Sequence, residues 1–343
     1  GTDDQGREIY DDTDTVTVGD NVPFVVDATV PTWPGINDPG AVPVYQIADN
    51  MSRGLEYQKD LKVFTVDSSG TETIVPAGTY KYMVAQTLGD GTEILANNEH
   101  GFKIEFDAAW LRLNQGQAIR LRYSANITDE AIIGPSDEDG KQNVNKVEVS
   151  YNPDPQVIDD LKTVTDETQV FTFAIQIDKF ARGTASNPFI NLAGATFGLY
   201  KDAECKVPVL DPATLTTGAD GIVNFARVAD GVYYLREEQA PDGYKLLVKP
   251  IKVEIVADID PDTQKYTGGF TLYVNDEKVE ATDGDYITKY SSTTGVANIA
   301  VENKKGFTLP ETGGMGIAIF LIVGIVGISL LSVVMMRKKK STV

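Results

Sequence analysis

Short segments in which apolar and polar residues alternate recur along the whole chain. They include PFVVDATV, KVEVSY, TFAIQI, ATFGLY, IKVEIVAD, GFTLYV and NIAVEN. A period of two residues is typical of a strand that turns one face to a core. Asp-Gly pairs between these segments supply residues that tolerate the positive φ of tight turns. Because no long amphipathic helical pattern competes, the sequence predicts an all-β protein made of two tandem Ig-like β-sandwiches.

The chain is long enough for two ordinary domains and a tail, since it has 343 residues. The segment YNPDPQ, with two prolines, predicts the end of the first sandwich. We therefore predict a first domain at residues 1–155 and a second at residues 168–305. Residues 306–343 form a separate C-terminal tail.

The tail contains an apolar run, residues 315–336, without an ionisable side chain. As a helix this run would be about 33 Å long, enough to cross a bilayer core. Four basic residues, 337–340, follow it and predict a cytoplasmic C-terminus with the rest of the chain exported. Since no signal peptide precedes Gly1, we expect the sequence to be processed or incomplete at its N-terminus.

Composition excludes several kinds of chemistry. The formal net charge of -20 disfavours nucleic acid and anionic lipid as partners, so we expect no nucleic-acid binding and only transient membrane contact before sorting. Cys205 is the single cysteine, so no intrachain disulfide is possible. His100 is the single histidine, which excludes a histidine-based metal site and a serine triad. We predict no cofactor and no metal.

Strand alternation turns three polar residues of the second domain toward the core. Lys179 ends the inward face of FAIQIDK, Glu237 lies on the inward face of YYLRE, and Asn303 ends that of IAVEN. Taken singly, each is also explained as a strand end whose head group reaches water. Together, they are the groups that an amide-forming reaction needs.

Burial lowers the pKa of an amine and raises that of a carboxylic acid, so both neutral forms prevail in a dry interior. The Lys179 amine would then attack the side-chain carboxamide of Asn303. We expect Glu237 to hydrogen-bond the carboxamide oxygen and to carry protons while ammonia leaves. The product is an isopeptide cross-link.

The segment TGADGIVNFARVADGVYYLREEQAPDGY resembles the second half of a Cna B-type (prealbumin-like) domain of Gram-positive surface proteins. Its signature, Y-x-L-x-E-x-x-A-P-x-G-Y, is matched across residues 233–244. LAGATFGLY and VENKK resemble the segments that follow the bond-forming lysine and carry the bond-forming asparagine. The resemblance implies an intramolecular bond between Lys179 and Asn303, promoted by Glu237.

The first domain is similar to the middle domain of major pilin backbone subunits in TVTVGDNVPFVVDATVP, VYQIADNMSRGLEY and NKVEVSYNP. Asp49 and Asn145 face inward by alternation and are candidates for the acid and amide of a second bond. The place of the lysine is taken by Arg7, whose guanidinium stays charged and is no nucleophile. Either the amine lies upstream of Gly1, or this domain lacks the bond and the two residues are capped strand ends.

Near its start the tail contains a pentapeptide formed by Leu309, Pro310, Glu311, Thr312 and Gly313. Proline keeps this segment extended and accessible. With the apolar run and the basic residues it resembles a cell-wall sorting signal, rather than an ordinary single-pass anchor. In resembling families a sortase cysteine attacks the Thr312 carbonyl, releases the chain from Gly313 onward, and passes the acyl group to peptidoglycan or to a lysine of the next pilin subunit.

These features predict a non-enzymatic protein that is a sortase substrate and is anchored in the cell wall of a Gram-positive bacterium. The leading hypothesis is the structural major subunit of a sortase-assembled pilus (fimbrium) that supports adhesion. The alternative is a monomeric wall-anchored adhesin that binds a host ligand through a missing N-terminal region. A secreted enzyme is disfavoured, because the sequence contains no convergent carboxylate pair.

Overall fold

The computed structural model describes residues 13–84, 101–136, 142–260, 265–280 and 288–306. Over these residues every regular element is a strand except one helix of six residues, so the predicted all-β class is confirmed. No helix in this part of the chain is both long enough and apolar enough to cross a membrane. The helix predicted at residues 315–336 lies outside the described residues.

The first sandwich consists of two sheets packed face to face. In chain order its elements are β1 (Thr13–Thr15), β2 (Asn21–Thr29), β3 (Tyr45–Met51), β4 (Leu55–Tyr57), β5 (Lys62–Val66), β6 (Glu72–Ile74), β7 (Tyr80–Val84), β8 (Phe102–Phe106), α1 (Ala108–Leu113), β9 (Ala118–Ile127), β10 (Asn143–Tyr151) and β11 (Lys162–Phe171). Among the described strands one sheet has the order β1-β11-β10-β3-β8-β7. The other has the order β2-β9-β5-β6, and β4 pairs with β9.

Alternation along β3 shows why this sandwich forms. Tyr45, Ile47, Asp49 and Met51 are buried, while the residues between them are partly exposed. One face of the strand therefore packs on the opposite sheet, where β9 alternates in the same way. The apolar members of this face stabilise the fold by roughly 1.5–3 kcal/mol for each fully buried side chain. Asp49 is the exception on this buried face, because it carries a carboxyl group and is nevertheless 0% exposed.

The second sandwich follows the same plan. Its strands are β12 (Phe173–Thr184), β13 (Asn187–Asn191), β14 (Thr196–Tyr200), β15 (Thr214–Thr216), β16 (Ile222–Val228), β17 (Gly231–Gln239), β18 (Ile251–Ile259), β19 (Tyr266–Val274), β20 (Glu277–Lys278), β21 (Lys289–Ser291) and β22 (Val296–Glu302). Among the described strands one sheet has the order β13-β12-β22-β21, with β16 beside β12. The facing sheet has the order β15-β14-β17-β18-β19-β20.

The first and last strands of the second sandwich lie side by side. β12 and β22 pair in parallel from Ala174 opposite Val296 to Phe180 opposite Glu302. Parallel neighbours need a long connection, and here it is the rest of the domain. The C-terminal end of β22 therefore lies next to the residues around Lys179.

The two sandwiches are joined with almost no linker. Strand β11 pairs with β10 of the first sandwich, and Thr172 alone separates it from β12. The strand pairing thus extends the first sandwich to Phe171, past the end at residue 155 that the sequence analysis predicts. Hydrogen bonds cross the junction from Thr172 Oγ1 to the Ile132 carbonyl (3.0 Å) and from Arg227 Nε to the Ala131 carbonyl (2.7 Å).

Candidate functional site

Lys179 lies on β12 with its side chain pointing into the core of the second sandwich. The residue is 1% exposed, and its Nζ lies 5.5 Å from the centroid of the Phe197 ring. Its backbone N–H donates to the Gly221 carbonyl (2.8 Å) and its own carbonyl accepts from Leu192 (3.0 Å). A Cβ on Gly221 would lie 2.5 Å from that Lys179 carbonyl, so glycine is needed for this close backbone approach.

Glu237 and Asn303 meet the amine in the same buried space. The Lys179 Nζ donates to Asn303 Oδ1 (2.6 Å), and Asn303 Nδ2 donates to Glu237 Oε1 (2.8 Å). Glu237 Oε1 also lies 3.2 Å from the Lys179 Nζ, and both side chains are 0% exposed. The structure therefore brings together all three residues that the sequence analysis selected in this domain.

The backbone fixes each of these side chains. Glu237 lies near the end of β17, and its Oε2 accepts from the Leu247 N–H (2.8 Å). Asn303 follows β22, and its N–H donates to the Phe180 carbonyl (2.9 Å), continuing the pairing of β22 with β12. Because Oε2 is held by the backbone, Oε1 is the oxygen of Glu237 that contacts both the Lys179 amine and the Asn303 amide. Glu237 contacts the carboxamide nitrogen, not the oxygen that the sequence analysis expected, because the lysine amine already occupies the oxygen.

Burial changes the acid–base behaviour of the amine. Loss of water around Lys179 lowers its pKa to about 8, and the opposing effect of Glu237 is smaller. About a tenth of the amine is therefore neutral at pH 7, far more than for an exposed lysine, and this form carries the lone pair that a nucleophile needs. The arrangement combines an amine, an amide carbonyl and a carboxyl group that reaches both nitrogens.

The first sandwich contains a second buried group of polar residues. Asp49 and Asn145 lie on the neighbouring strands β3 and β10, and they are 0% and 3% exposed. The hydroxyl of Tyr123, on β9 of the facing sheet, donates to Asp49 Oδ2 (2.5 Å) and accepts from Asn145 Nδ2 (2.9 Å). Desolvation raises the pKa of Asp49 to about 7. The structure thus places the two predicted residues in one cluster, with a phenol between them.

Tyr123 is the member of this cluster that sequence reasoning missed. It alternates with Leu121 and Ala125 on the inward face of β9, so the strand pattern identifies it as buried. A buried tyrosine is ordinarily assigned to the core, and its hydroxyl partner depends on which strand lies opposite. That information comes only from the packing of the two sheets.

The remaining predicted site residues, Leu309, Pro310, Glu311, Thr312 and Gly313, lie outside the described residues. In the part of the chain that the structure describes, no group of three or more His, Cys, Asp and Glu side chains is arranged to hold a metal ion.

Comparison with protein families gives two matches. Residues 184–268 match the SpaA family, described as a prealbumin-like fold domain. Residues 301–342 match the LPXTG cell wall anchor motif. The first match covers the segments that provide Glu237 and its neighbours, and the second begins two residues before Asn303.

Among known proteins, the chain is similar to the trypsin-resistant surface T6 protein of Streptococcus pyogenes serotype M6. The two are 27% identical over 252 residues, which is 69% of this chain and 42% of the relative. The chain therefore spans less than half the length of this curated relative.

Two solved structures share the fold. The group B streptococcus pilus 2b backbone protein is 23% identical, with a TM-score of 0.55 over 87% of this chain and 98% of that one. The T6 backbone pilin of Streptococcus pyogenes serotype M6, described as a modular three-domain structure, is 20% identical. Its TM-score is 0.54 over 85% of this chain and 67% of that one. At these identities the likeness concerns the fold.

Proposed function

We propose that this chain is a structural subunit of the backbone type in a sortase-assembled pilus, anchored to the cell wall of a Gram-positive bacterium. The LPXTG anchor motif, the prealbumin-like domain, and the likeness to the T6 protein and to backbone pilins support this role. In this role the chain acts on no other molecule. Its partners are a sortase, further subunits and peptidoglycan.

The observation that carries the proposal is the buried contact of Lys179, Glu237 and Asn303. A structural subunit outside the cell needs a fold that resists unfolding. Because this chain has a single cysteine, it cannot form an intrachain disulfide, and a covalent cross-link must be of another kind. An amide between Lys179 and Asn303 would provide this cross-link. Unlike a disulfide, an amide is not reversed by thiols.

The reaction follows from the contacts. The neutral Lys179 amine attacks the Asn303 Cγ, and a new C–N bond forms as the carboxamide becomes tetrahedral. Glu237 Oε1, which lies within reach of both nitrogens, takes a proton from the amine and gives one to the Asn303 nitrogen. The C–Nδ2 bond then breaks and ammonia leaves. No oxidant or cofactor is required.

The C-terminal tail would serve assembly. A sortase cysteine would attack the Thr312 carbonyl, release the chain from Gly313 onward, and transfer the acyl group to an amine of the next subunit or of peptidoglycan. Membrane contact through residues 315–336 would be temporary, because the sortase cut removes that segment.

Intact-mass measurement tests the internal bond. We expect the wild-type protein to be lighter than its sequence by one ammonia, and peptide mapping to join Lys179 to Asn303. Lys179→Ala should have its full calculated mass, and Glu237→Ala should leave amine and amide unreacted. A wild-type protein at full mass would contradict the bond.

A second experiment separates the pilus subunit from a monomeric wall-anchored adhesin. A backbone subunit should form a ladder of high-mass species on denaturing gels of cell-wall extracts. That ladder should disappear when the pilin-type sortase is deleted. A single monomeric band in wild-type cells would favour the adhesin.

A further inference from the structure

The three residues that follow Asn303 are held by a loop of the same domain. Residues 304–306 leave β22 and pair antiparallel with residues 243–245. We call these two segments the clasp. Two backbone hydrogen bonds close it, from the Lys245 N–H to the Lys304 carbonyl (3.0 Å) and from the Gly306 N–H to the Gly243 carbonyl (2.7 Å).

A glycine turn gives the loop its shape. The Tyr244 N–H donates to the Pro241 carbonyl (3.0 Å), which closes a β-turn over Asp242 and Gly243. Gly243 has φ +83°, a conformation that residues with a Cβ rarely adopt, and no atom of the described residues lies within 4 Å of the place of a Cβ. The backbone conformation therefore requires this glycine, whose carbonyl then accepts the Gly306 N–H.

The same loop holds the acid of the buried site. Leu247 lies two residues after the clasp segment, and its N–H donates to Glu237 Oε2 (2.8 Å). The Leu247 side chain is partly buried and packs on the core of the second sandwich, whereas Leu246 and Val248 are 49% and 94% exposed. Leu247 therefore anchors the loop, and its N–H orients the carboxyl group so that Oε1 faces the amine and the amide.

We propose that the clasp and the Leu247 N–H position the acid and the amide for cross-link formation, so that the reaction depends on docking of the segment that leads to the sorting pentapeptide. The clasp orients the amide because Asn303 directly precedes residues 304–306. It orients the acid because it fixes the loop that presents Leu247. Leu247 is a positioning residue, since it acts through Glu237. The proposal rests on the bond between Lys179 and Asn303 that is part of the proposed function.

The place of the clasp along the chain sets an order of events. Leu309, the first residue of the pentapeptide, is three residues beyond Gly306. Tension that enters through Thr312 therefore reaches the clasp before it reaches Asn303. Hydrogen bonds yield far more easily than an amide, so a load applied before the reaction would open the clasp and release the acid. The device favours a chain that is cross-linked first and loaded afterwards.

Proline substitutions test the clasp, because each removes one backbone N–H. Gly306→Pro removes the donor to the Gly243 carbonyl. Lys305→Pro is the matched control, since the Lys305 N–H forms neither of the two clasp hydrogen bonds. The full chain is synthesised with a pulse of isotope-labelled amino acids, and intact mass follows the loss of ammonia over time. We expect Gly306→Pro to react about tenfold more slowly than Lys305→Pro, which corresponds to about 1.4 kcal/mol of activation free energy.

A second pair of variants tests the contact with the acid. Leu247→Pro removes the N–H and Leu247→Ala keeps it, while both shorten the side chain that packs on the core. We expect Leu247→Pro to lose ammonia about tenfold more slowly than Leu247→Ala. A merely structural role of the leucine side chain would slow both variants alike. Trypsin protection of the second domain, measured on the same samples, shows that the compared chains are folded.

Equal rates within either pair of folded variants would overturn the proposal. If one of the two key variants, Gly306→Pro or Leu247→Pro, does not fold, the other pair decides. Failure of both to fold would also overturn it, because the loop would then be needed for the fold and not for the reaction. A wild-type chain at full mass would contradict the bond itself, and the clasp proposal with it. A bonded wild type with equal rates in the variants would contradict the clasp proposal alone.

Discussion

Lysine and aspartate usually lie at protein surfaces, but Lys179 and Asp49 are almost completely buried, at 1% and 0% exposure. Their pKa values move in opposite directions for the same reason, because a dry interior penalises the charged form of each. For Lys179 the result is an amine that is partly neutral near neutral pH, as the proposed bond requires. For Asp49 it is a carboxyl group that is partly protonated near neutral pH.

The raised pKa of Asp49 predicts a pH dependence of stability. In the native state the carboxyl group keeps its proton up to about pH 7, whereas the unfolded chain releases it near pH 4. The native state therefore binds more protons between these values, and stability falls as the pH rises through that window. A shift of about three pKa units corresponds to roughly 4 kcal/mol.

Asp49→Asn should remove this pH dependence of stability, because an amide at position 49 still accepts a hydrogen bond from the Tyr123 hydroxyl but does not titrate. We expect the variant to gain stability over the wild type steadily from about pH 4 to pH 7, measured by urea unfolding of the first domain. Asp38→Asn, which removes an exposed charge, controls for net charge. A constant difference between Asp49→Asn and the wild type across this range would contradict the prediction.

At the residue scale, alternation along the strands is enough to select Lys179, Glu237 and Asn303. Successive side chains of a strand point to opposite faces, so a polar residue in step with buried apolar residues is itself buried. Alternation did not select Tyr123, whose importance lies in one hydroxyl contact across the two sheets. It also misplaced the contact of Glu237 on the Asn303 carboxamide. Such details depend on side-chain packing, which a one-dimensional pattern does not contain.

At the scale of elements, the parallel pairing of β12 and β22 is the feature that sequence patterns left open. Both strands were predicted, but their adjacency joins residues 124 positions apart. Helix α1 was not predicted, since its six residues are too short for a helical period to be read. The pairing of β11 with β10 was also missed, because the sequence of a strand does not reveal which strands lie beside it in the folded sheet.

A cross-link between these two strands should stabilise the second domain through the unfolded state. By analogy with the chain-entropy model for disulfides, closing a loop of more than 100 residues contributes about 5 kcal/mol. Glu237→Gln keeps the shape and the hydrogen bond from Asn303 but removes the proton carrier. We expect this variant to stay unbonded and to lose about 5 kcal/mol in the unfolding of the second domain.

Thermal unfolding with trypsin digestion would measure the effect. The second domain of Glu237→Gln should melt earlier and be cleaved sooner, while the transition of the first domain stays where it is in the wild type. Glu238→Gln is a matched control. Glu238 is the next residue along the strand, but its carboxylate accepts hydrogen bonds from Tyr200 and Arg236 and does not contact the buried site. A bonded Glu237→Gln protein would contradict the assigned role.

At the scale of the whole molecule, the junction between the sandwiches is built from backbone packed on backbone. Gly134 of the first domain has φ +81°, and a Cβ there would lie 2.8 Å from the Thr294 carbonyl carbon and 2.9 Å from the Gly295 nitrogen of the second. Real Cβ atoms do not approach backbone atoms so closely. The junction therefore depends on glycine at this position.

Gly134→Ala should separate the two domains. Gly70 has nearly the same φ, +85°, but a Cβ on Gly70 would meet no atom within 4 Å, so Gly70→Ala is the matched control. Both variants carry about 1–2 kcal/mol of backbone strain. Only Gly134→Ala should increase the radius of gyration in small-angle X-ray scattering. Equal radii for the two variants would contradict the prediction.

The parallel arrangement of β12 and β22 also determines which atoms bear tension when the chain is stretched from its ends. Force enters the second domain at Phe173 and leaves it after Asn303. With an amide at Lys179, the load passes from β12 directly to Asn303. The segment between these two residues, which lie 124 positions apart, would carry no load. If that segment unravelled it would add on the order of 400 Å of extended chain. Such an amide would prevent this segment from extending, so the domain would not lengthen under tension.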